Sequence, residues 1–574
     1  MFISETFLPL PVIIYYHISI QSMKKRAVSL LIIILMTLAS LSVSAQKNTG
    51  GVNSINASDL ESYLSFLASP LLKGRMNGEE GLDIAANYIA SQAKKIGLKP
   101  ARGNSYLQPY TVIEKRIDIE KTSVQISEEG KNPVLIKEPI FQLIPMGASD
   151  FEIEGDVVFA GYGINAAKYK YNDLDSLQTA GKILLIMDRA PLTPDGKKCL
   201  FEDQKWLTMM GLQMKIQMLM FTKAKAILIV TDPKSGFSSI EEEYPGLAGD
   251  MKSIMTLKGQ KSQMFEFSGM PKIIFVHRKV ADELLNGTGK TLAALQNTID
   301  SEFKSRSFPI KGKQLKISEV SLVKEKALPN VAGLIEGSDP VLKNEIVIFS
   351  GHMDHLGAEG GVVNPGADDD ASGCSALLEM AEAFQTLPKK PLRSILFLWV
   401  SGEEVGLFGS RSYVDNPLFP LDKTVADLNM DMIGRVKSDA DTSKNHPMTG
   451  PNSVFVITDN QSKELISIAD AVAKKTKLTL DYSLSGRSHP LQLFARSDHY
   501  NFVQKDIPIL FFTTGLHTTY HTPGDVIERI DFKKMELITK TMFEIGYQIA
   551  NKKTRIVVDN PFSKWKSAGT TPKQ

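Results

Sequence analysis

Residues 345–355 read EIVIFSGHMDH, an apolar run that ends abruptly in two histidines and an aspartate. Continuous apolar runs of this length mark strands buried on both faces, as in parallel sheets covered by helices. The pattern repeats along the chain. After the glycine-rich stretch GHMDHLGAEGGVVNPGADDDASG (351–373) comes a helical segment, CSALLEMAEAF, with Leu377, Met380, Ala381 and Phe384 on one face. Strand-like SILFLWVSGEE and TVADLNMDMIG follow, then the helical ELISIADAVAKKT and the strand-like IPILFFTTG. Strands alternating with helices predict an α/β fold, a mostly parallel central sheet with helices on both faces. In such sheets, sites form beyond the carboxyl ends of the strands, and the ionisable residues fall at those ends.

Upstream the texture differs. Asp59–Leu67 and Glu79–Ile96 read as amphipathic helices, and Gly97 supplies a stop for the second. From about residue 150, GDVVFAGYG, GKILLIMDR, AKAILIVTD and PKIIFVHR are short β-rich runs separated by turn residues, with a helical pattern near Val280–Leu285. A chain of 574 residues exceeds one compact core, so two or more domains are expected.

The N-terminus reads as an address. From Met23, MKKRAVSLLIIILMTLASLSVSAQ has a basic cluster, an apolar run interrupted by Ser29, Thr37 and Ser40, and a small-residue end at Ala45. That is a secretory signal cleaved after Ala45, with Met23 as the true start. The expected location is therefore exported, periplasmic or extracellular, with no stable membrane insertion after cleavage. Removing residues 1–45 takes away three basic and one acidic residue, leaving 63 of each sign. That balance favours neither nucleic acid nor an anionic membrane as a partner. Two cysteines, Cys199 and Cys374, make no disulfide framework, and Cys374 is expected to be free and buried in a helix.

Five clusters sit at strand ends or in loops: His352/Asp354, Asp368–Asp370, Glu403/Glu404, Asp431 and His521. Imidazole and carboxylate donors without thiolates suit Zn²⁺ or a similar ion at a catalytic site. More carboxylates than one ion needs point to two ions sharing an aspartate. A phosphate-loop reading of NGTGKT (286–291) fails because Leu284 stands where the first glycine is required.

In order, HMDHLG, GADDDASG, SGEEVGLFGS, NMDMIG and YHTPGD resemble the di-zinc aminopeptidase family that includes aminopeptidase Y and is related to glutamate carboxypeptidase. LLKGRMNGEEGLDIAANYIASQAKKIGLKP, NVAGLIEGSDP and RSDHYNFVQKDIPILFF extend the likeness. The resemblance implies two Zn²⁺ per chain and peptide substrates. His352 would bind the first ion, oriented by Asp354. Asp369 would bridge both ions, and Asp431 would complete the first site. Glu404 and His521 would complete the second, with Glu403 as the general base. Asp368 and Asp370, where asparagine is common in the family, are expected to face solvent. His355 and His499 are expected to shape the pocket rather than bind metal. Tyr520 is placed to donate its hydroxyl to an oxyanion or to pack.

The β-rich segment resembles a protease-associated domain. The resulting layout is residues 1–45 signal, 46–145 first catalytic part, 150–300 insertion, 318–555 zinc-peptidase part and 556–574 tail. The reaction implied is hydrolysis of N-terminal residues from peptides. A carboxypeptidase or an N-terminal glutamine cyclase on the same fold are the alternatives, followed by an inactive binding module.

Overall fold

The computed structural model describes residues 50–567 apart from positions 139, 143–149, 176, 245–252, 260–269, 440, 444–445 and 459. The signal segment 1–45 and its start at Met23 lie outside the described residues. By internal contacts the chain forms two units. One comprises residues up to Leu107, Val331–Val400 and Pro417 onward; the other comprises Gln108–Asn330 and Ser401–Asn416.

In the first unit the main strands are β1 (Ser321–Ile335, entering from the other unit), β2 (Ile346–His352), β3 (Ser394–Val400) and β4 (Thr424–Met430). They continue with β5 (Ser453–Ile457), β6 (Thr479–Asp481) and β7 (Ile509–Thr513). Their order is β1–β3–β2–β4–β7–β5–β6. The strands anticipated from apolar runs, β3, β2, β4 and β7, lie side by side and parallel. β1 and β5 run antiparallel to their neighbours β3 and β7. Every residue of β2, β3, β4 and β7 is buried, which is why these strands read as unbroken apolar runs.

The helices are α1 (Ala57–Leu67), α2 (Glu80–Ile96), α3 (Ala371–Gln385), α4 (Lys463–Thr476) and α5 (Phe532–Asn551). Asn56 caps α1 by accepting from Asp59 N, and Gly97, at φ 90°, closes α2 in the left-handed conformation. α3 packs on β2, α1 and α5. It lies so close to β4 that a Cβ on Gly373 would run into the Met430 carbonyl. Only glycine lets the helix approach the strand end there. Among the described residues, no helix is long and apolar enough to cross a membrane.

The second unit has an eight-stranded sheet of its own. Its centre is parallel: Phe151–Phe159, Ile183–Met187, Ala226–Val230 and Lys272–Phe275 are consecutive neighbours. These are the four runs picked out in the sequence. The sheet also takes Ser123–Glu128, Val134–Ile136 and Phe308–Glu319, strands outside the 150–300 span expected for the insertion. Pairing and register, invisible in any single run, decide that membership. Helices Met209–Leu219 and Leu292–Glu302, not singled out in the sequence, add to Arg278–Leu285. The Gly287–Lys290 loop leads into Thr291, which caps Leu292–Glu302.

Candidate metal centre

Strands β2 and β4 each deliver a residue at or just past the carboxyl end, His352 and Asp431. Asp369 arrives from the loop that enters α3, and His521 from the loop after β7. His352 Nε2 lies 3.1 Å from Asp369 Oδ1 and 3.6 Å from Asp431 Oδ1. On the other carboxylate oxygen, Asp369 Oδ2 is 3.1 Å from His521 Nε2 and 3.7 Å from His355 Nδ1. His352, Asp369 and Asp431, all buried, bring their ligand atoms within 4.8 Å of one another, and so do His355, Asp369 and Glu404. Asp369 belongs to both groups. The sequence reading gave His355 a shaping role, whereas its imidazole joins the second group.

The donor set fits a divalent cation. Asp431 Oδ1 is buried with no hydrogen-bond donor among the described residues, facing an imidazole nitrogen that Asp369 also faces. Carboxylate oxygens left unpaired in the interior are costly, and a bound cation removes that cost. Burial works against the charge of Asp369, but His352, His521 and His355 outweigh it and hold its carboxyl well below the usual carboxylate range.

Around these groups a set of fixed partners holds the geometry. His352 Nδ1 lies 3.2 Å from the Asp354 carbonyl and 3.7 Å from its carboxylate, whose other oxygen accepts from Asn77 Nδ2 at 2.6 Å. Such outer partners orient a ligating imidazole. Asp370 accepts from the backbone amides of His352, Gly373 and Met432, tying the end of β2, the start of α3 and the turn after β4 to one carboxylate. Asp368 accepts from Gly434 N at 2.6 Å. Both side chains are 0% exposed, which overturns the expectation that they face solvent. Their oxygens serve backbone amides instead. Burial, with Asp525 near Asp368 and Asp431 near Asp370, pushes both carboxyls well above the ordinary range.

Two further residues of the sequence motifs hold the surrounding backbone. Asp525, of YHTPGD, accepts from the amides of Asp368 (3.0 Å) and Asp369 (3.1 Å). Arg75, of LLKGRMN, is 1% exposed and donates to the carbonyls of Leu67, Met353, Pro365 and Gly366. Burial of Arg75 is not visible in LLKGRMN, and its place within that motif was the one available signal.

Glu403 and Glu404 lie in the turn after β3, where the Glu403 carbonyl accepts from Gly406 N and Leu407 N. The Tyr520 ring stacks on His521 with centroids 3.7 Å apart. Cys374 is free and buried as expected, and its thiol donates to the His352 carbonyl at 3.1 Å. His499 is buried with Nε2 against the Phe494 carbonyl, and burial pushes its imidazole down to about 3, a neutral core histidine.

Residues 330–546 match the pattern of Peptidase family M28. A probable leucine aminopeptidase of Arthroderma otae is 27% identical over 232 residues, 39% of this chain and 58% of that protein. Aminopeptidase YwaD of Bacillus subtilis is 29% identical over 208 residues, 35% of this chain and 41% of that one. The chain thus spans less than two thirds of the length of these relatives. The solved aminopeptidase from Aneurinibacillus sp. strain AM-1 shares the fold, with a TM-score of 0.50 at 18% identity over 89% of this chain and 98% of that chain.

Proposed function

We propose that this chain, whose residues 330–546 match peptidase family M28, is an exported metalloexopeptidase that hydrolyses N-terminal residues from peptides with two zinc ions. The observation that carries the reading is the position of Asp369. Its Oδ1 faces His352 Nε2 and its Oδ2 faces His521 Nε2, each at 3.1 Å, so that one carboxylate can serve two ions. His352, Asp369 and Asp431 would hold the first ion. Asp369, Glu404 and His521 would hold the second, with His355 turned to the same Asp369 oxygen. Choice of the free amine over the free carboxylate follows the two relatives named as aminopeptidases.

Bound zinc supplies an acidified water and a polarised scissile carbonyl. The chain's own part is proton handling and positioning. Glu403 takes the proton of the attacking water and passes it to the leaving amine, which departs neutral. Asp354 and Asn77 keep His352 in one orientation, and Asp525 fixes the loop that carries Asp369. The signal pattern from Met23 to Ala45 supports export, and the four parallel runs of the second unit are assigned to a protease-associated domain.

Two measurements test this together. Elemental analysis after zinc titration should give more than one ion per chain, and turnover should be confined to peptides with a free N-terminal amine. A stoichiometry that never exceeds one would remove the bridging role of Asp369. Turnover of amine-blocked peptides with free carboxylates would replace the aminopeptidase reading with the carboxypeptidase one.

A further inference from the structure

Beside the metal cluster stands one arginine that the proposed reaction does not use. Arg496 is exposed, yet the residues around it are not: Leu493, Phe494, Ser497, Asp498 and His499 are all buried. Ser497 Oγ accepts from Asn429 Nδ2 at 2.9 Å, and the Arg496 amide donates to the Leu493 carbonyl at 3.2 Å. The backbone that carries this guanidinium is therefore held from both sides. Its Nη2 donates to the Tyr520 hydroxyl at 3.4 Å, and the Tyr520 ring stacks on His521, whose Nε2 faces the shared Asp369. Among the described residues, no carboxylate pairs with Arg496. A guanidinium on a fixed base, one side chain removed from the cluster and lacking an anionic partner, is a receptor for an anion brought by the substrate.

We propose that Arg496, with the Tyr520 hydroxyl beside it, binds a substrate carboxylate, and that this makes short peptides with a free C-terminus the preferred substrates. The inference rests on the aminopeptidase reading. A free amine is engaged at the metal cluster in that reading, so a cation one residue away meets the far end of a dipeptide or tripeptide. Longer peptides present an uncharged amide at that distance and gain nothing from the arginine. Planar, forked donors recognise a carboxylate with two parallel hydrogen bonds, which a lysine ammonium cannot do.

The test compares leucylglycine with leucylglycinamide on the zinc-loaded full chain, for wild type, Arg496→Gln and Arg496→Lys. Wild type should favour the free carboxylate by about tenfold or more in kcat/KM, carried by KM. In Arg496→Gln the ratio should fall toward one, and Arg496→Lys should recover part of it. A third substrate, with glutamate in second position and an amidated C-terminus, separates the two sources of a carboxylate. Equal preference for it would keep Arg496 as the receptor but assign it to an acidic side chain. A wild-type ratio near one, or a ratio unchanged in Arg496→Gln, would overturn the proposal while leaving the aminopeptidase reading intact. If no peptide with a free amine turns over, that reading fails instead. The same dipeptide pair titrated calorimetrically into chelator-treated protein then still decides on Arg496, through a carboxylate-selective loss of affinity in Arg496→Gln.

Discussion

Glu403 and Glu404 are neighbours of identical chemistry, and the proposal gives them different work. The turn makes this possible: the Glu403 carbonyl closes hydrogen bonds to Gly406 and Leu407, and Leu407 takes φ 59°, so the chain reverses at the pair. Glu403→Gln keeps size and hydrogen bonding but cannot accept a proton. Its kcat should fall on the order of 10²–10⁴-fold with the metal content unchanged. Glu404→Gln should lower zinc stoichiometry and regain activity in excess zinc. The reverse pattern, measured by elemental analysis beside kinetics, would exchange the two roles. At this scale the ligand types were legible because histidines and carboxylates recur together at the ends of several strands of one sheet. Asp368 and Asp370 were misread for a physical reason. Nothing in a run of three aspartates tells which carboxylate turns to the cluster and which turn inward to backbone amides such as those of Gly434 and Met432.

Among the elements, β4 carries an unusual ionisable group in its core. Asp427 is 0% exposed, and its carboxylate accepts from Ser350 Oγ at 2.7 Å while Oδ2 has no partner among the described residues. Burial, opposed by that hydrogen bond and aided by Asp498, pushes its carboxyl from 3.8 up to about 8. With the folded value above the unfolded one, the native state retains a proton that the unfolded chain has lost between these pH values. The stabilising contribution is therefore complete below about pH 4 and is lost as pH rises through 8. Asp427→Asn removes this dependence. Relative to wild type, the variant should gain about 1.4 kcal/mol for each pH unit between 5 and 8, read as a growing difference in Tm. A difference that stays flat over that interval would mean Asp427 is already ionised in the folded protein. The strand itself was easy to find in TVADLNM, since its apolar neighbours are buried on both faces. The titration behaviour was not, because a sequence does not reveal that Ser350 on β2 is its hydrogen-bond donor.

For the whole molecule, the division of the chain was the part least legible in the sequence. Apolar runs located the strands between 150 and 300, but the strands that complete the eight-stranded sheet lie outside those limits. Ser123–Glu128 and Phe151–Phe159 both pair with Phe308–Glu319, far apart in sequence. The chain first enters and last leaves this sheet at one place: Asp118 N donates to the Val320 carbonyl at 2.9 Å, and Val320 N donates to Thr122 Oγ1 at 3.1 Å. An excision that respects the fold therefore joins Asp118 to Val320 through a short glycine-rich linker. It removes every strand of the eight-stranded sheet, together with Ser253–Leu257, which pairs with Leu107–Ile117 in the other sheet and is lost in any excision that spans 150–300. Excision of residues 150–300 instead would leave Val134–Ile136, Ser123–Glu128 and Phe308–Glu319 as a remnant in which Phe308–Glu319 lacks its Phe151–Phe159 neighbour, an edge prone to pairing between molecules. The first variant should be monodisperse by size-exclusion chromatography and retain zinc, while the second should aggregate. Equal solubility of both would show that the flanking strands need no sheet, and aggregation of the first with loss of zinc would show that the parallel sheet of β2, β3, β4 and β7 does not fold without the excised unit.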